Sequence, residues 1–289
     1  MRQSAGWCLI ITLMLMQCSN SPLQAEPLQL VDTLASLKPR AGEIPAEAQI
    51  LQQLLSLYPS PYQLVDISRN RAREWTKTAG NACIPWLRKT AERERDYLFT
   101  LPYMLESAIV LISLPDSPWQ RQLEQLQDHS GRISLQQLLL LHRPPLLGVE
   151  KNRSYGAEID ALLLQHHKAL YTRSTAGEFV GSMLPMLQKG FVDLMLEYPK
   201  IARRSSTALR FWPLSEAEPF NLVHFACSRS AQGEKIVALL NQIIRQQAGQ
   251  PSYHQLMFKT LAPAEQAAAL HYWQQALTIT PKAQTPTAH

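Results

Sequence analysis

The sequence predicts an α/β protein in two units, each a mostly parallel sheet flanked by helices. Three observations carry that expectation. Short apolar runs alternate with stretches of helical periodicity along most of the chain, and such alternation makes parallel strands covered by helices. The alternation starts afresh near Leu146, after a helical segment broken at Gly131, which divides it into two sets. A chain of 289 residues can bury the cores of two lobes of ordinary size as well as one large core.

Taken in order, the chain opens with Arg2, the apolar run Leu9 to Met16 and a polar stretch ending in Leu23-Gln24-Ala25. This is the pattern of a secretory signal peptide over residues 1–25. Its apolar core is shorter than the roughly 18 to 20 residues a membrane helix needs. Cleavage after Ala25 leaves an exported chain. Cutting before Cys18 to give a lipoprotein is the less favoured alternative, because Gln17 is not small.

Leu28 to Leu34 then reads as a strand, and Pro45 opens a helix in which Ile50, Leu51, Leu54 and Leu55 recur at helical spacing until Pro59. "YQLVDI" (62–67) is the next strand, "RNRAREWTKTAG" a helix ended by Gly80, and "ACIPWL" (82–87) a third strand. "SAIVLIS" (107–113) is apolar enough for one buried strand, followed by two helices either side of Gly131.

The second set begins with the strand Leu146 to Val149 and a helix over Gly156 to Gln165 with Ser154 as its cap. "KALYTRS" follows, and Thr175 and Glu178 have capping-box spacing at the start of a helix that ends near Gly190. "FVDLMLEY" and "NLVHFAC" are strands, "GEKIVALLNQIIRQQ" is a helix, and residues 280–289 read as a disordered tail.

Composition excludes some functions. The net charge of +5 is spread without a basic stripe interleaved with aromatics, which argues against nucleic acid. Cys8 and Cys18 leave with the signal peptide, so Cys83 and Cys227 remain. They form one disulfide in an oxidising compartment or stay as two separately buried thiols.

Catalytic motifs are missing. His166 and His167 are adjacent and face different directions on a helix, so they are no i, i+4 metal pair. Glu92 and Glu94 lie among arginines and make poor general acids. The sequence points to no metal and no cofactor, and away from an enzyme.

Anion binding has better support, because donors stand at three strand-to-helix junctions: Asn152, Arg153 and Ser154 in "EKNRSYG", Thr175, and Thr90 in "RKTAERER". By spacing alone the last block is either a solvated, salt-bridged helix face or the seat of a ligand-holding arginine. Trp86 is likewise either core or platform.

The residues that decide between these readings resemble a family. "NACIPWLRKTAERERDYLFTLPY" is similar to the stretch of bacterial periplasmic solute-binding proteins, extracellular family 3, that reads G-x-x-D-A, a strand, T-x-x-R and F-S-x-P-Y. Gly80, Asn81 and Ala82 stand for the first part, Thr90 and Arg93 for the second, and Phe99, Thr100, Pro102 and Tyr103 for the last, with Thr for Ser. "LGVEKNRSYGAEID" looks like the family's V-G-V-x-x-G-T-T segment and "MLQKGFVDLMLEYP" like its L-x-x-G-x-x-D-A segment. The likeness extends over most of the mature chain, towards a proteobacterial branch of that family.

The resemblance implies a hinge-linked, two-lobe type II periplasmic-binding fold. Residues 26–108 and 221–279 would form a discontinuous first lobe and 109–220 the second, with hinges at 105–112 and 216–222. It implies a periplasmic protein that captures a small anionic or amino-acid-like ligand between its lobes. The expected partners are that ligand and an inner-membrane ABC permease or sensor, and the chain is expected to be a monomer.

Arg93 would hold a carboxylate through its guanidinium fork, with Trp86, Arg88, Thr90, Arg153, Ser154 and Thr175 around the ligand. The same template puts Cys83 and Cys227 on strands of one lobe, which favours the disulfide.

The departures matter. Tyr198, preceded by Glu197, stands where amino-acid binders place an aspartate for the ammonium, and Arg88 is an extra cation. These imply a more anionic ligand or a site without one. Two rivals share the fold: a cyclohexadienyl-dehydratase-like enzyme, for which Glu197 is the acid/base candidate, and a sensing or interaction module independent of transport.

Overall fold

The computed structural model describes residues 26–33, 37, 44–173, 183–202, 206–259 and 261–278. The signal peptide, Thr175 with its capping box, and the tail lie outside the described residues. In chain order the strands are β1 (Leu28–Asp32), β2 (Tyr62–Asp66), β3 (Ala82–Leu87), β4 (Tyr97–Phe99), β5 (Met104–Ser107) and β6 (Val110–Ser113). They continue with β7 (Leu147–Glu150), β8 (Leu170–Arg173), β9 (Leu194–Glu197), β10 (Arg210–Pro213) and β11 (Phe220–Ser228).

These strands form two sheets, each flanked by helices. The first has the order β2-β1-β3-β11-β4, with β5 also on β11, and the second β10-β6-β9-β7-β8. Both are mixed. Each holds three mutually parallel strands, β2-β1-β3 and β9-β7-β8, with antiparallel strands beside them. The antiparallel pairings belong to strands next to the crossings between sheets: β5 and β11 on one side, β6 and β10 on the other.

The chain passes from the first sheet to the second between Ser107 and Val110 and returns between Pro213 and Phe220. The expected single strand over 107–113 is therefore two strands in two sheets. Each half pairs with a different neighbour, and an apolar run alone cannot show that break.

Helix Ala46–Ser56 forms because Ile50, Leu51, Leu54 and Leu55 line one face, and all four are buried. Pro45 takes the N-cap position, where its missing N–H costs nothing. This face, helix Ala231–Gln247 and the two helices after it close one side of the first sheet, while helix Arg69–Thr78 closes the other around Ala72. Full burial of each large aliphatic side chain is worth about 1.5–3 kcal/mol, so these faces dominate the lobe's stability. Ser230 caps helix Ala231–Gln247, its Oγ accepting from Gly233 N at 2.9 Å.

The charged block does not form the expected helix. After β3 the chain turns, makes a single 3-10 turn at Arg93–Arg95 and enters β4 at Tyr97. Tyr97 and Phe99 pair with Ser228 and Ala226 of β11, and burial of Tyr97 leaves too few residues for a helix. Nor does Ser154 cap the next helix, which starts at Ala157 behind Gly156 at φ +114°. Asp160 reaches back instead, accepting from Ser154 Oγ at 2.5 Å and from Tyr155 N at 2.7 Å.

Cys83 and Cys227 face each other in the antiparallel register of β3 and β11, with Cα atoms 4.0 Å apart, and are joined as a disulfide. It ties the returning strand to the first sheet.

Candidate functional site

A cavity of about 110 Å³ lies between the two sheets, beside the crossings. That is below the roughly 300–1,000 Å³ of drug-sized sites, so its guest is small. The first lobe supplies Arg69 and Arg73 from one helix, Trp86 and Arg88 from β3 and the turn after it, Arg93, and Glu106 from β5. The second supplies Arg153, Ser154, Tyr198 and Lys200, while Asn221 comes from β11.

Most of its charges are already matched. Arg153 donates to Glu197 at 2.9 and 2.6 Å through both terminal nitrogens, contacts Glu150 at 3.3 Å, and lies over the rings of Tyr155 and Tyr198. Burial disfavours the charge on Arg153, but Glu197, Tyr155 and Glu150 together outweigh it and hold its pKa well above the ordinary value. Arg88 meets Glu218 at 3.0 Å, and Lys200 meets Glu106 at 2.5 Å. Burial pushes the Glu106 carboxyl up, yet Lys200 and the amide of Asn221 together hold it below the usual range. Arg69 lies 3.8 Å from both Asp32 and Glu150, spanning the two lobes.

Two guanidiniums differ. Among the described residues neither Arg73 nor Arg93 has a carboxylate within 4.0 Å. Arg93 donates only to carbonyls, that of Arg88 at 2.9 Å and that of Asn152 across the cleft at 3.2 Å. Burial and the nearby charge of Arg73 lower its pKa to about 10. Burial and Arg69 lower Arg73 in the same direction. Two half-buried like charges with no carboxylate in contact are costly, and an anion joining them lowers that cost.

A second observation falls on the same cavity. Three buried side-chain polar atoms among the described residues lack a hydrogen-bond partner: Trp86 Nε1, Arg88 Nε and Asn221 Oδ1. All three belong to residues that line it. Buried polar groups are ordinarily paired, so two donors and one acceptor here mark where a guest would bond.

Of the residues expected at the site, Trp86, Arg88, Arg93, Arg153, Ser154 and Tyr198 line the cavity. Thr90 stands behind it, its Oγ1 accepting from Arg93 N at 3.2 Å. Glu197 is outside the lining, and its carboxylate is taken by Arg153. Arg153 lines the cavity as half of that internal ion pair. Arg69, Arg73, Glu106, Lys200 and Asn221 were not expected. The i, i+4 spacing of Arg69 and Arg73, just after β2, is the signal that could have found two of them. Among the described residues no group of three His, Cys, Asp or Glu side chains could hold a metal ion.

Several solved structures share this architecture. The arginine-, lysine-, histidine-binding protein of Geobacillus stearothermophilus is similar over 84% of this chain and 100% of its own, at 12% identity and a TM-score of 0.60. A histidine kinase sensor domain with similarity to periplasmic binding proteins matches over 83% and 97%, at 13% identity and a TM-score of 0.61. An ancestral amino acid-binding protein, a precursor of cyclohexadienyl dehydratase, matches over 82% and 95%, at 13% identity and a TM-score of 0.57. No protein-family model matches the sequence, and no curated protein matches it. At these identities the likeness defines the fold: the chain has the two-lobe fold of periplasmic binding proteins.

Proposed function

We propose that this protein is a periplasmic solute-binding protein that captures a small anionic ligand between its lobes. One observation carries the reading: Arg73 and Arg93, half-buried beside each other without a carboxylate, line a cavity whose walls hold the unpaired donors of Trp86 and Arg88. Guanidinium forks and an indole N–H suit the oxygens of a carboxylate or similar oxyanion.

In this reading residues 26–108 and 221–279 form one lobe and 109–220 the other, and the crossings near 108–109 and 214–219 act as hinges. The export pattern at residues 1–25 puts the mature chain in the periplasm, where an ABC permease or a sensor would take up the loaded form. A role in sensing is favoured by the likeness to a kinase sensor domain. A binding role, and not catalysis, is favoured by the engagement of Asp32, Glu47 and Glu106, the carboxylates that line the cavity. Glu197 is engaged as well, by Arg153.

Native mass spectrometry of protein purified without denaturation tests the reading. A small-molecule adduct that leaves on unfolding supports it, and its absence in protein taken from several growth media argues against it.

A further inference from the structure

Resting on that reading, we infer that the guest is a small acid carrying a hydroxyl or other neutral donor, and no ammonium group. The unbonded polar atoms of the cavity, with the two guanidiniums that face no carboxylate within 4.0 Å among the described residues, set this chemistry. Trp86 Nε1, Arg88 Nε and the forks of Arg73 and Arg93 all donate, so the guest's main feature is a set of acceptor oxygens bearing negative charge. Asn221 Oδ1 is the one unmatched buried acceptor among the described residues.

Asn221 is a neutral amide whose Nδ2 already donates to Glu106 at 2.9 Å. It satisfies a hydroxyl or an N–H fully but offers an ammonium no counter-charge. The carboxylates that could supply one are held: Glu106 by Lys200 and Asn221, Asp32 by Arg69 and the backbone N–H of Thr33, and Glu47 with Lys200 at 4.0 Å. An ammonium here would meet two guanidiniums that have no carboxylate within 4.0 Å among the described residues, while the carboxylates of the lining already face cations of their own. Tyr198 lines the wall with a ring and not an anion, and Arg153 already covers its face. A hydroxyl on the carbon bearing the acid meets no such penalty.

The test compares triplets that differ only at that carbon, titrated calorimetrically into the wild-type protein stripped of ligand by unfolding and refolding. These are propionate, L-lactate and L-alanine; succinate, L-malate and L-aspartate; and glutarate, L-2-hydroxyglutarate and L-glutamate. The hydroxy acid of at least one triplet should bind, at least ten-fold tighter than its amino counterpart and several-fold tighter than the unsubstituted acid. An amino acid that binds as tightly as its hydroxy partner overturns the inference. So does a panel in which no hydroxy acid binds; a co-purifying adduct of another chemistry would then leave the solute-binding reading standing while this one falls.

Discussion

Arg153 and Glu197 form a bidentate ion pair, with Nη1 2.9 Å from Oε2 and Nη2 2.6 Å from Oε1, that joins the loop after β7 to the end of β9. Both side chains are nearly enclosed, at 10% and 4% exposure. The pair therefore supports the cleft wall from within.

Removing one partner strands the other charge in a buried site, which costs about 3–5 kcal/mol. Arg153→Ala and Glu197→Gln should each lose stability on that scale in urea unfolding. A double Arg153→Met, Glu197→Leu variant should recover much of it. If Arg153→Ala keeps wild-type stability, the pair is not structural.

The disulfide joins cysteines 144 positions apart in sequence. On the chain-entropy model such a crosslink contributes about 4–5 kcal/mol. The Cys83→Ala, Cys227→Ala double variant should lose a comparable unfolding free energy in denaturant titration. Thiol labelling of the exported, unreduced protein should find no reactive cysteine, and labelling of both would contradict the bond.

His224 is buried, its Nδ1 2.8 Å from the carbonyl of Thr100, so that nitrogen donates. Burial lowers its pKa from 6.5 to about 4. The unfolded chain thus binds the proton first as pH falls, and the folded state loses about 3 kcal/mol across the window from pH 6.5 to 4. His224→Asn keeps a donor for Thr100 and cannot titrate. Its stability should fall less steeply than the wild type's between pH 7 and 4.5, and parallel slopes would remove His224 from the acid response.

The α/β architecture was legible because burial leaves a periodic trace: the leucines of helix Ala46–Ser56 and the strand Ala82–Leu87 read correctly without a structure. The charged block misled because Glu and Arg at close spacing fit a helix as well as a turn. What ends it is the pairing of Tyr97 with a strand more than a hundred residues away, which local spacing cannot report. At the site Trp86, Arg88 and Arg93 were reached through motif resemblance. Arg73 was not, since in "RNRAREWTKT" it looks like one more solvated charge until the helix is laid against β1 and β3. Nor does a sequence say which cations are already neutralised. Arg153 and Arg93 read alike, and only the position of Glu197 separates them.

That separation makes the binding of the guest by Arg73 and Arg93 the central claim, and native mass spectrometry of wild type beside an Arg73→Ala, Arg93→Ala variant tests it most directly. Charge-assisted hydrogen bonds contribute about 1.5–3 kcal/mol each, and about 1.4 kcal/mol is a factor of ten. The double variant should therefore fold with wild-type melting behaviour and carry none of the small-molecule adduct seen on the wild type, its affinity lowered by about a hundred-fold or more. The same adduct on both proteins at equal occupancy would contradict the account.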